Sequence, residues 1–216
     1  MKHKLLAEFA GAALLLMVVV GSGIYGETLS VGNIAVALLA NSIATGAGLY
    51  VLITLLGPIS GAHFNPAVSL FFRLRGEMDT RTCVSYIGAQ ISGGICGVWL
   101  THFIYAMPVL QTSAKVRTGV AQWVSEIIAT ALLLGAIHLG LRHAREKMAL
   151  VIALLVTAGY WFTSSTFFAN PAVTIARALS NSFAGIHPAD VAGFIAAQLI
   201  ALALVFLLTR KSSPTA

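Results

Sequence analysis

Apolar residues dominate this chain in six long segments that are separated by short polar stretches. The segments run from Leu5 to Gly23, Asn33 to Leu56, Cys83 to Tyr105, Val120 to Leu141, Met148 to Ser165 and Val191 to Leu208. Each is long enough to cross the ~30 Å hydrocarbon core of a bilayer as a helix. The pattern therefore predicts an all-α membrane protein with six transmembrane helices.

Two shorter apolar runs, Val68 to Leu74 and Val173 to Leu179, each follow the tripeptide Asn-Pro-Ala. Asn is a favoured helix N-cap and Pro is favoured at the first helical position, so Asn65 and Asn170 each mark the start of a helix. At 1.5 Å per residue, each run covers only about half of the hydrocarbon core. We expect two re-entrant half-helices, which a membrane tolerates where they are buried in protein or line a wet cavity.

The two halves of the chain repeat the same order of features. Glu8 and Glu126 lie in the first apolar helix of each half, and Gln90 and Gln198 lie in the last. Each half holds three spans, an odd number, so the second half must insert upside down relative to the first. The sequence thus predicts a single domain over residues 1–216, built from inverted repeats at about 1–112 and 113–216, with the half-helix tips meeting near the midplane.

Composition supports the membrane assignment and limits the partners. Hydrophobic residues make up 58% of the 216 positions and charged residues 9%, while the formal net charge is +6. The basic residues lie between the spans and are not interleaved with aromatic platforms, which argues against nucleic acid as a partner. The expected surroundings are a lipid bilayer.

The distribution of basic residues predicts the orientation. With both termini in the cytoplasm, only Lys115 and Arg117 fall in an external loop, and Arg177 lies within the second half-helix. The ten others fall on the cytoplasmic side: Lys2, Lys4, Arg73, Arg75, Arg81, Arg142, Arg145, Lys147, Arg210 and Lys211. This is the bias of the positive-inside rule.

Motifs for catalysis or metal binding are lacking in the sequence. Cys83 and Cys96 fall in the same span, without the spacing of metal ligands or of a disulfide framework. There is also no phosphate-binding loop, zinc-helix signature or nucleophile triad at useful spacing. We predict no enzyme, no cofactor and no metal site.

The residues around the first half-helix carry a family resemblance. The stretch Ser60-Gly-Ala-His-Phe-Asn-Pro-Ala-Val-Ser69, together with the second Asn-Pro-Ala and the matched spans, resembles the aquaporin and aquaglyceroporin (major intrinsic protein) family over essentially the whole chain. The resemblance implies an hourglass channel, usually a homotetramer with one pore per subunit. Its pore motifs would be Asn65, Pro66, Ala67, Asn170, Pro171 and Ala172.

The resemblance also assigns roles to the polar residues inside the spans. Each Asn would cap its own half-helix through the side-chain oxygen and offer amide hydrogens to a passing solute. Glu8 and Glu126 would accept hydrogen bonds from the re-entrant loops, and Gln90 and Gln198 would satisfy loop carbonyls. A proton relay through the two carboxylates is the alternative, but no chain of further intramembrane acids accompanies them.

The selectivity filter departs from the usual family pattern. Most members have an arginine directly after the second Asn-Pro-Ala, whereas this chain has Val173. The family's spacing places Thr45, Ala158 and Phe167 at the other three filter positions, with Tyr160 as the alternative on the fifth helix. With Ala158, the ring would be wider and more apolar than in a strict water channel.

The cargo follows from this ring. Phe167 resembles the aromatic residue of glycerol facilitators, and residues 170–177 resemble the arsenic-operon aquaglyceroporins. We expect a passive channel in a bacterial inner membrane that conducts glycerol, water and neutral metalloid acids such as arsenous acid. A water-selective aquaporin and a proton-coupled secondary transporter remain the alternatives.

Two further residues admit both a functional and a structural interpretation. Arg177 lies four residues after Val173, hence on about the same face of the half-helix, and would either supply a displaced charge to the lumen or cap the end of the half-helix. His63 would either gate the pore by titrating or serve as a satisfied structural histidine.

Overall fold

The computed structural model describes residues 1–210; residues 211–216, including Lys211, lie outside the described part. Residues 1–210 form eight α-helices and one 3-10 turn, with no strand among them. The helices are α1 (Lys2–Leu29), α2 (Ile34–Ser60), α3 (Pro66–Leu74), α4 (Thr80–Ile104), α5 (Val120–His143), α6 (Met148–Phe162), α7 (Pro171–Arg177) and α8 (Pro188–Thr209), and the 3-10 turn Arg145–Lys147 precedes α6. The predicted all-α architecture is confirmed.

Several helices begin at a capping side chain. Asn33 accepts hydrogen bonds from two backbone amides of the first turn of α2, and Asp79 accepts one from the Thr82 amide at the start of α4. Pro188 is the first residue of α8, where its missing N–H costs no helical hydrogen bond. Polar capping side chains thus mark the start of three of the six spans, α2, α4 and α8.

Within residues 1–210, five helices are long and apolar enough to cross a membrane: α1, α2, α4, α5 and α8. The sixth predicted span corresponds to α6, which has only 15 residues. At 1.5 Å per residue α6 is about 22 Å long, so it ends before the far side of a ~30 Å core. The chain then turns back at Thr163 toward the second half-helix, which shares that side of the molecule.

The helices of each half pack around one another in the same way. Helix α1 contacts α2 and α4, α5 contacts α6 and α8, and α2 packs on α6 across the two halves. The crossing of α1 and α4 is very close, because a methyl group at Gly97 would lie 2.1 Å from the Ala13 carbonyl oxygen and one at Gly93 would lie 2.3 Å from that of Phe9. Glycine at both positions lets the two backbones touch.

The two half-helices lead to opposite ends of α5. Phe71, near the end of α3, contacts His138 in the last part of α5, with ring centroids 6.4 Å apart. Directly after α7, the Ala178 carbonyl accepts a hydrogen bond from the Ser113 amide, in the loop that precedes α5. With their N-terminal tips in contact, α3 and α7 therefore extend in opposite directions from the centre.

Candidate solute pathway

The tips of α3 and α7 are joined by two reciprocal hydrogen bonds. Nδ2 of Asn65 donates to the Ala169 carbonyl over 2.7 Å, and Nδ2 of Asn170 donates to the Phe64 carbonyl over 2.8 Å. Each Asn therefore binds the backbone just before the other Asn. Because a side-chain amide has two N–H donors, each Asn keeps one hydrogen beyond this bond.

The oxygens of the same two side chains cap the half-helices. Oδ1 of Asn65 accepts a hydrogen bond from the Ala67 amide over 2.8 Å, and Oδ1 of Asn170 accepts from Ala172 and Val173 over 3.0 and 3.3 Å. These bonds satisfy amides that have no partner within their own helix. In each Asn side chain, the oxygen thus caps its own half-helix and the nitrogen binds the backbone that precedes the other Asn.

The loops that lead into the half-helices hold non-glycine residues in the left-handed backbone region. In the first loop these are Ala62 and Phe64, with φ of 50° and 47°. In the second they are Thr166, Phe167 and Ala169, with φ between 46° and 58°. Such residues cost on the order of 1–3 kcal/mol each and persist only where the surroundings fix them.

Glu8 fixes the first of these loops from helix α1. Its carboxylate is fully buried and accepts hydrogen bonds from the Ser60 hydroxyl (2.6 Å), the His63 amide (3.0 Å) and the Phe64 amide (2.7 Å). Gln90 Nε2 donates a fourth hydrogen bond to it over 2.7 Å. A buried carboxylate satisfied in this way is a stable anchor for the loop.

Glu126 performs the same task for the second loop from helix α5. It accepts hydrogen bonds from the amides of Phe168 and Ala169, each over 3.0 Å, and from Nε2 of Gln198 over 2.7 Å. Both carboxylates therefore bind the loop amides that the family resemblance assigned to them.

The two glutamines bind differently from the prediction. Nε2 of Gln90 also donates to the Ser69 hydroxyl in α3, and Nε2 of Gln198 donates to the Thr174 hydroxyl in α7, each over 3.0 Å. They do not satisfy loop carbonyls, because the carboxylate is the stronger acceptor within reach. Each glutamine therefore links a carboxylate to its half-helix.

An elongated cavity runs past the two Asn side chains. Its volume is about 170 Å³, far more than the ~10–15 Å³ that one water requires. One end, the Phe72 end, is lined by His63, Phe72, Leu141 and Met148; the other, the Arg177 end, is lined by Tyr160, Phe167, Phe168 and Arg177. The wall between them is mostly aliphatic, with Asn65 and Asn170 at the centre.

Three of the four residues predicted for the filter line this cavity: Thr45, Phe167 and Val173. Ala158 does not, since it is exposed on the outside of α6, and this assignment is corrected. Tyr160 takes its place, because two residues along an α-helix are a rotation of about 200°. The Tyr160 hydroxyl is 3.1 Å from the Thr45 hydroxyl, so the two side chains form one polar patch across the helices α2 and α6.

Tyr160 changes the expected character of the ring. An alanine there would have left a wide and apolar opening, whereas the buried tyrosine adds bulk and a hydroxyl. On α6, Gly159 makes room for the ring of Phe167, since a methyl group at Gly159 would lie 2.2 Å from Cδ2 of that ring. The ring is therefore formed by two aromatic side chains, Tyr160 and Phe167, and two smaller ones, Thr45 and Val173.

Arg177 shows features of both interpretations made from the sequence. Its Nε donates to the Ala184 carbonyl, which ties the end of α7 to the following loop. Its guanidinium carbon lies 3.5 Å from the centroid of the Phe168 ring, and the residue lines the cavity while being only 2% exposed. No carboxylate lies within 4 Å of this guanidinium among residues 1–210.

Arg117 is a residue near the site that sequence reasoning placed simply in an external loop. Its Nε donates to the Gly185 carbonyl over 2.8 Å, and its guanidinium carbon lies 5.1 Å from the Phe168 ring centroid. The backbone amide of Arg117 donates to Asp190 at the start of α8. The local sequence around Arg117 did not indicate these contacts, because Gly185 and Asp190 lie far along the chain from it.

In the loop that carries Arg117, burial disfavours the charged forms of two basic side chains. Burial lowers the pKa of Arg117 to about 10 and, together with the nearby Arg117 and Arg177, lowers the pKa of Lys115 to about 8. The Lys115 ammonium donates to the Phe183 carbonyl over 2.6 Å. Three basic side chains are thus gathered at the Arg177 end.

His63 is satisfied by its neighbours at the Phe72 end. Its Nδ1 lies 3.0 Å from the Ser69 hydroxyl, and its ring stacks on Phe72 with centroids 4.6 Å apart. Tyr86 packs edge-on against the same imidazole at 5.5 Å. These contacts suit a residue that shapes the wall of the cavity.

Comparisons with known proteins agree with this architecture. The chain is 49% identical to "Aquaglyceroporin AqpS" of Rhizobium meliloti (strain 1021), over 98% of this chain and 92% of that protein. It is 38% identical to "Glycerol uptake facilitator protein" of Pseudomonas aeruginosa over 47% of this chain and 35% of that protein. The X-ray structure of the aquaglyceroporin from Plasmodium falciparum superposes with a TM-score of 0.77, covering 98% of this chain and 96% of that chain at 19% identity, which shows the fold.

The family assignment rests on sequence as well as on fold. The sequence model described as "Major intrinsic protein" matches residues 1–166, which cover the first repeat with its half-helix and the second repeat as far as the start of its re-entrant loop. Members of this family are membrane channels and not enzymes. The chain therefore belongs to the major intrinsic protein family of channels.

Proposed function

We propose that this protein is a passive channel for small uncharged solutes, with glycerol, water and neutral metalloid acids such as arsenous acid as its cargo. The observation that carries the proposal is the cavity past Asn65 and Asn170, whose second amide hydrogens remain available beside an aliphatic wall. Such a wall accepts the carbon-bearing side of a polyol while the amides and hydroxyls bind its oxygens. The names of the relatives point to the same class of cargo.

The filter supports a cargo larger than water. Val173 stands where most members of the family have an arginine, so the fixed donors of that side chain are absent at this position. At the four predicted filter positions, the remaining donors and acceptors are the hydroxyls of Thr45 and Tyr160, and the ring of Phe167 lines the same cavity. Tyr160 narrows the opening relative to an alanine, and this is the observation that favours the water-selective alternative.

A flux panel decides between these cargoes. Proteoliposomes of the wild type are compared with empty liposomes for permeation of water, glycerol and arsenous acid, and we expect flux of all three. Val173→Arg should reduce glycerol and arsenous acid flux by about tenfold or more and water flux much less, since a long cation would narrow the ring. Val68→Arg, at the matching position after the first Asn-Pro-Ala, is the control for placing a charge in the wall.

The same vesicles test the coupled transporter. A proton relay needs carboxylates that can exchange protons with the lumen, but both Glu8 and Glu126 hold structural hydrogen bonds to loop amides. Dissipating the proton gradient should therefore leave uptake unchanged. Uptake that stops with the gradient would contradict the channel.

We further propose a homotetramer in a bacterial inner membrane with both termini in the cytoplasm. The positive-inside bias supports this orientation, and a bacterial relative supports the location. The Arg177 end would then open to the outside. Native mass spectrometry in detergent tests the tetramer. Labelling of a cysteine introduced at Lys2, in a variant without Cys83 and Cys96, from either side of the membrane tests the orientation.

A further inference from the structure

Phe72 and Arg177 occupy matching positions in the two repeats. Each lies seven residues after the Asn of its own half-helix, and each lines the cavity. Each also packs on the residue two positions before that Asn: Phe72 stacks on His63 at 4.6 Å, and Arg177 lies over Phe168 at 3.5 Å. The repeat thus identifies this position as part of the lumen wall in both halves.

The two positions differ in charge. At the Phe72 end the wall is closed by two stacked rings, whereas at the Arg177 end a guanidinium lies on a ring. Among residues 1–210 no carboxylate is within ion-pair distance of Arg177, and Glu126 is engaged by loop amides. In a wall of low dielectric constant, a charge without a direct counter-ion acts strongly on ions in the lumen.

We propose that Arg177 is the charge barrier of this channel, which repels protons and metal cations in place of the arginine that Val173 replaces. The inference rests on the proposed function, and it adds that the barrier has moved four residues, about one helical turn, along α7. The ring of Phe168 and the Ala184 carbonyl hold the guanidinium beside the lumen. Neutral solutes pass the same charge and can accept its hydrogen bonds.

Arg117 offers a matched control on the other side of the same ring. Its guanidinium carbon lies 5.1 Å from the Phe168 centroid, but it is bound to the carbonyl of Gly185 and does not line the cavity. Its removal changes the net charge of the loop region by the same amount as removal of Arg177. A barrier formed by lumen charge should therefore respond to Arg177 and not to Arg117.

The experiment measures proton leak and glycerol flux in the same proteoliposomes. Vesicles that contain a pH-sensitive dye are subjected to a potassium diffusion potential, and glycerol flux is followed by light scattering. Three variants change Arg177: Arg177→Gln keeps a donor for the Ala184 carbonyl without the charge, Arg177→Lys keeps the charge, and Arg177→Phe copies the Phe72 end. Arg117→Gln is the matched control.

We expect Arg177→Gln and Arg177→Phe to leak protons about tenfold or more faster than the wild type while conducting glycerol, with Arg177→Lys and Arg117→Gln close to the wild type. An unchanged leak in Arg177→Gln with glycerol flux retained would overturn the inference alone. An equal rise in Arg117→Gln would also overturn it, since general loosening of the loop would then be the cause. Absence of glycerol flux in the wild type would overturn the proposed function itself.

Discussion

The two repeats share one supporting frame but line the cavity with different side chains. In both, an Asn caps a half-helix and binds the backbone before the other Asn, and a Glu on the first helix binds two loop amides. In both, a Gln joins that Glu to a hydroxyl of the half-helix. The matching pairs are Asn65 and Asn170, Glu8 and Glu126, Gln90 and Gln198, Ser60 and Ser165, and Ser69 and Thr174.

The residues that line the cavity differ between the repeats because they do not have to satisfy the backbone of the re-entrant loops. Inside a bilayer every backbone group of a re-entrant loop must find a partner, and the same solution serves both loops. The cavity wall has no such constraint. At matching positions, the first repeat therefore has two stacked rings, His63 and Phe72, and the second has the guanidinium of Arg177 over the ring of Phe168. The residues that the two repeats share therefore serve stability, and in the proposed channel the residues that differ are the ones expected to set selectivity.

The largest effect is expected at the carboxylates of the shared frame. Glu8→Ala and Glu126→Ala each leave several buried donors unpaired, at about 1–3 kcal/mol for each donor, so both should lower the yield of folded protein and the unfolding temperature severely. Thermal unfolding in detergent measures this, with exposed Glu146→Ala as the control. If one Glu variant stayed as stable as the control, the frame would not be equivalent in the two halves.

A smaller and more selective effect is expected at two glycines that contact the loops. A methyl group at Gly11 would lie 2.0 Å from the Phe64 ring, and one at Gly159 would lie 2.2 Å from the Phe167 ring. Both Gly→Ala variants should lose about 1–3 kcal/mol of stability through overpacking. Only Gly159→Ala should change the ratio of glycerol to water flux, because Phe167 occupies one of the proposed filter positions, whereas Phe64 lines the cavity outside that proposed filter.

The comparison of the two glycine variants requires folded protein in both cases. Stopped-flow light scattering on reconstituted vesicles gives the two fluxes, and size-exclusion chromatography in detergent checks the fold. A change in the flux ratio of Gly11→Ala equal to that of Gly159→Ala would mean that the first loop also selects the cargo.

The smallest effect is expected at Lys115 in the loop beside the Arg177 end. Burial lowers the pKa of Lys115 to about 8 from its ordinary 10.5, so the folded protein loses this proton before the unfolded chain does. Stability contributed by this group should therefore be lowest below about pH 8 and rise as the pH increases from about 8 to about 10.5. Thermal unfolding across this range should show a gain that Lys115→Met lacks; identical pH dependence in both proteins would contradict the prediction.

The frame could be predicted from the sequence because its residues recur in order. Two Asn-Pro-Ala motifs, two acidic spans and two glutamines leave few arrangements in which the half-helices can be buried, and the resemblance assigned the contacts of Glu8 and Glu126. The partners of Gln90 and Gln198 were wrong in detail. A glutamine side chain can donate to a carbonyl or to a carboxylate, and the sequence does not reveal which of them lies within reach.

The fifth-helix filter residue and the loop arginine were harder to assign. The length of the turn between α6 and Asn170 is not visible in the sequence, and an error of two residues moves the lumen face from Tyr160 to Ala158. Arg117 lies in a loop without periodicity, and its partners come from the loop that follows α7. Contacts between such loops depend on the folded geometry of the whole chain.

The reciprocal bond between the two tips has a consequence for biosynthesis. The ribosome delivers the first repeat before Asn170 exists, and at that stage the Phe64 carbonyl and the Asn65 amide lack the partners that they have in the finished protein. In dry lipid each unpaired group of this kind costs several kcal/mol. The first loop therefore gains its full set of hydrogen bonds only when α7 arrives, after most of the chain has been translated.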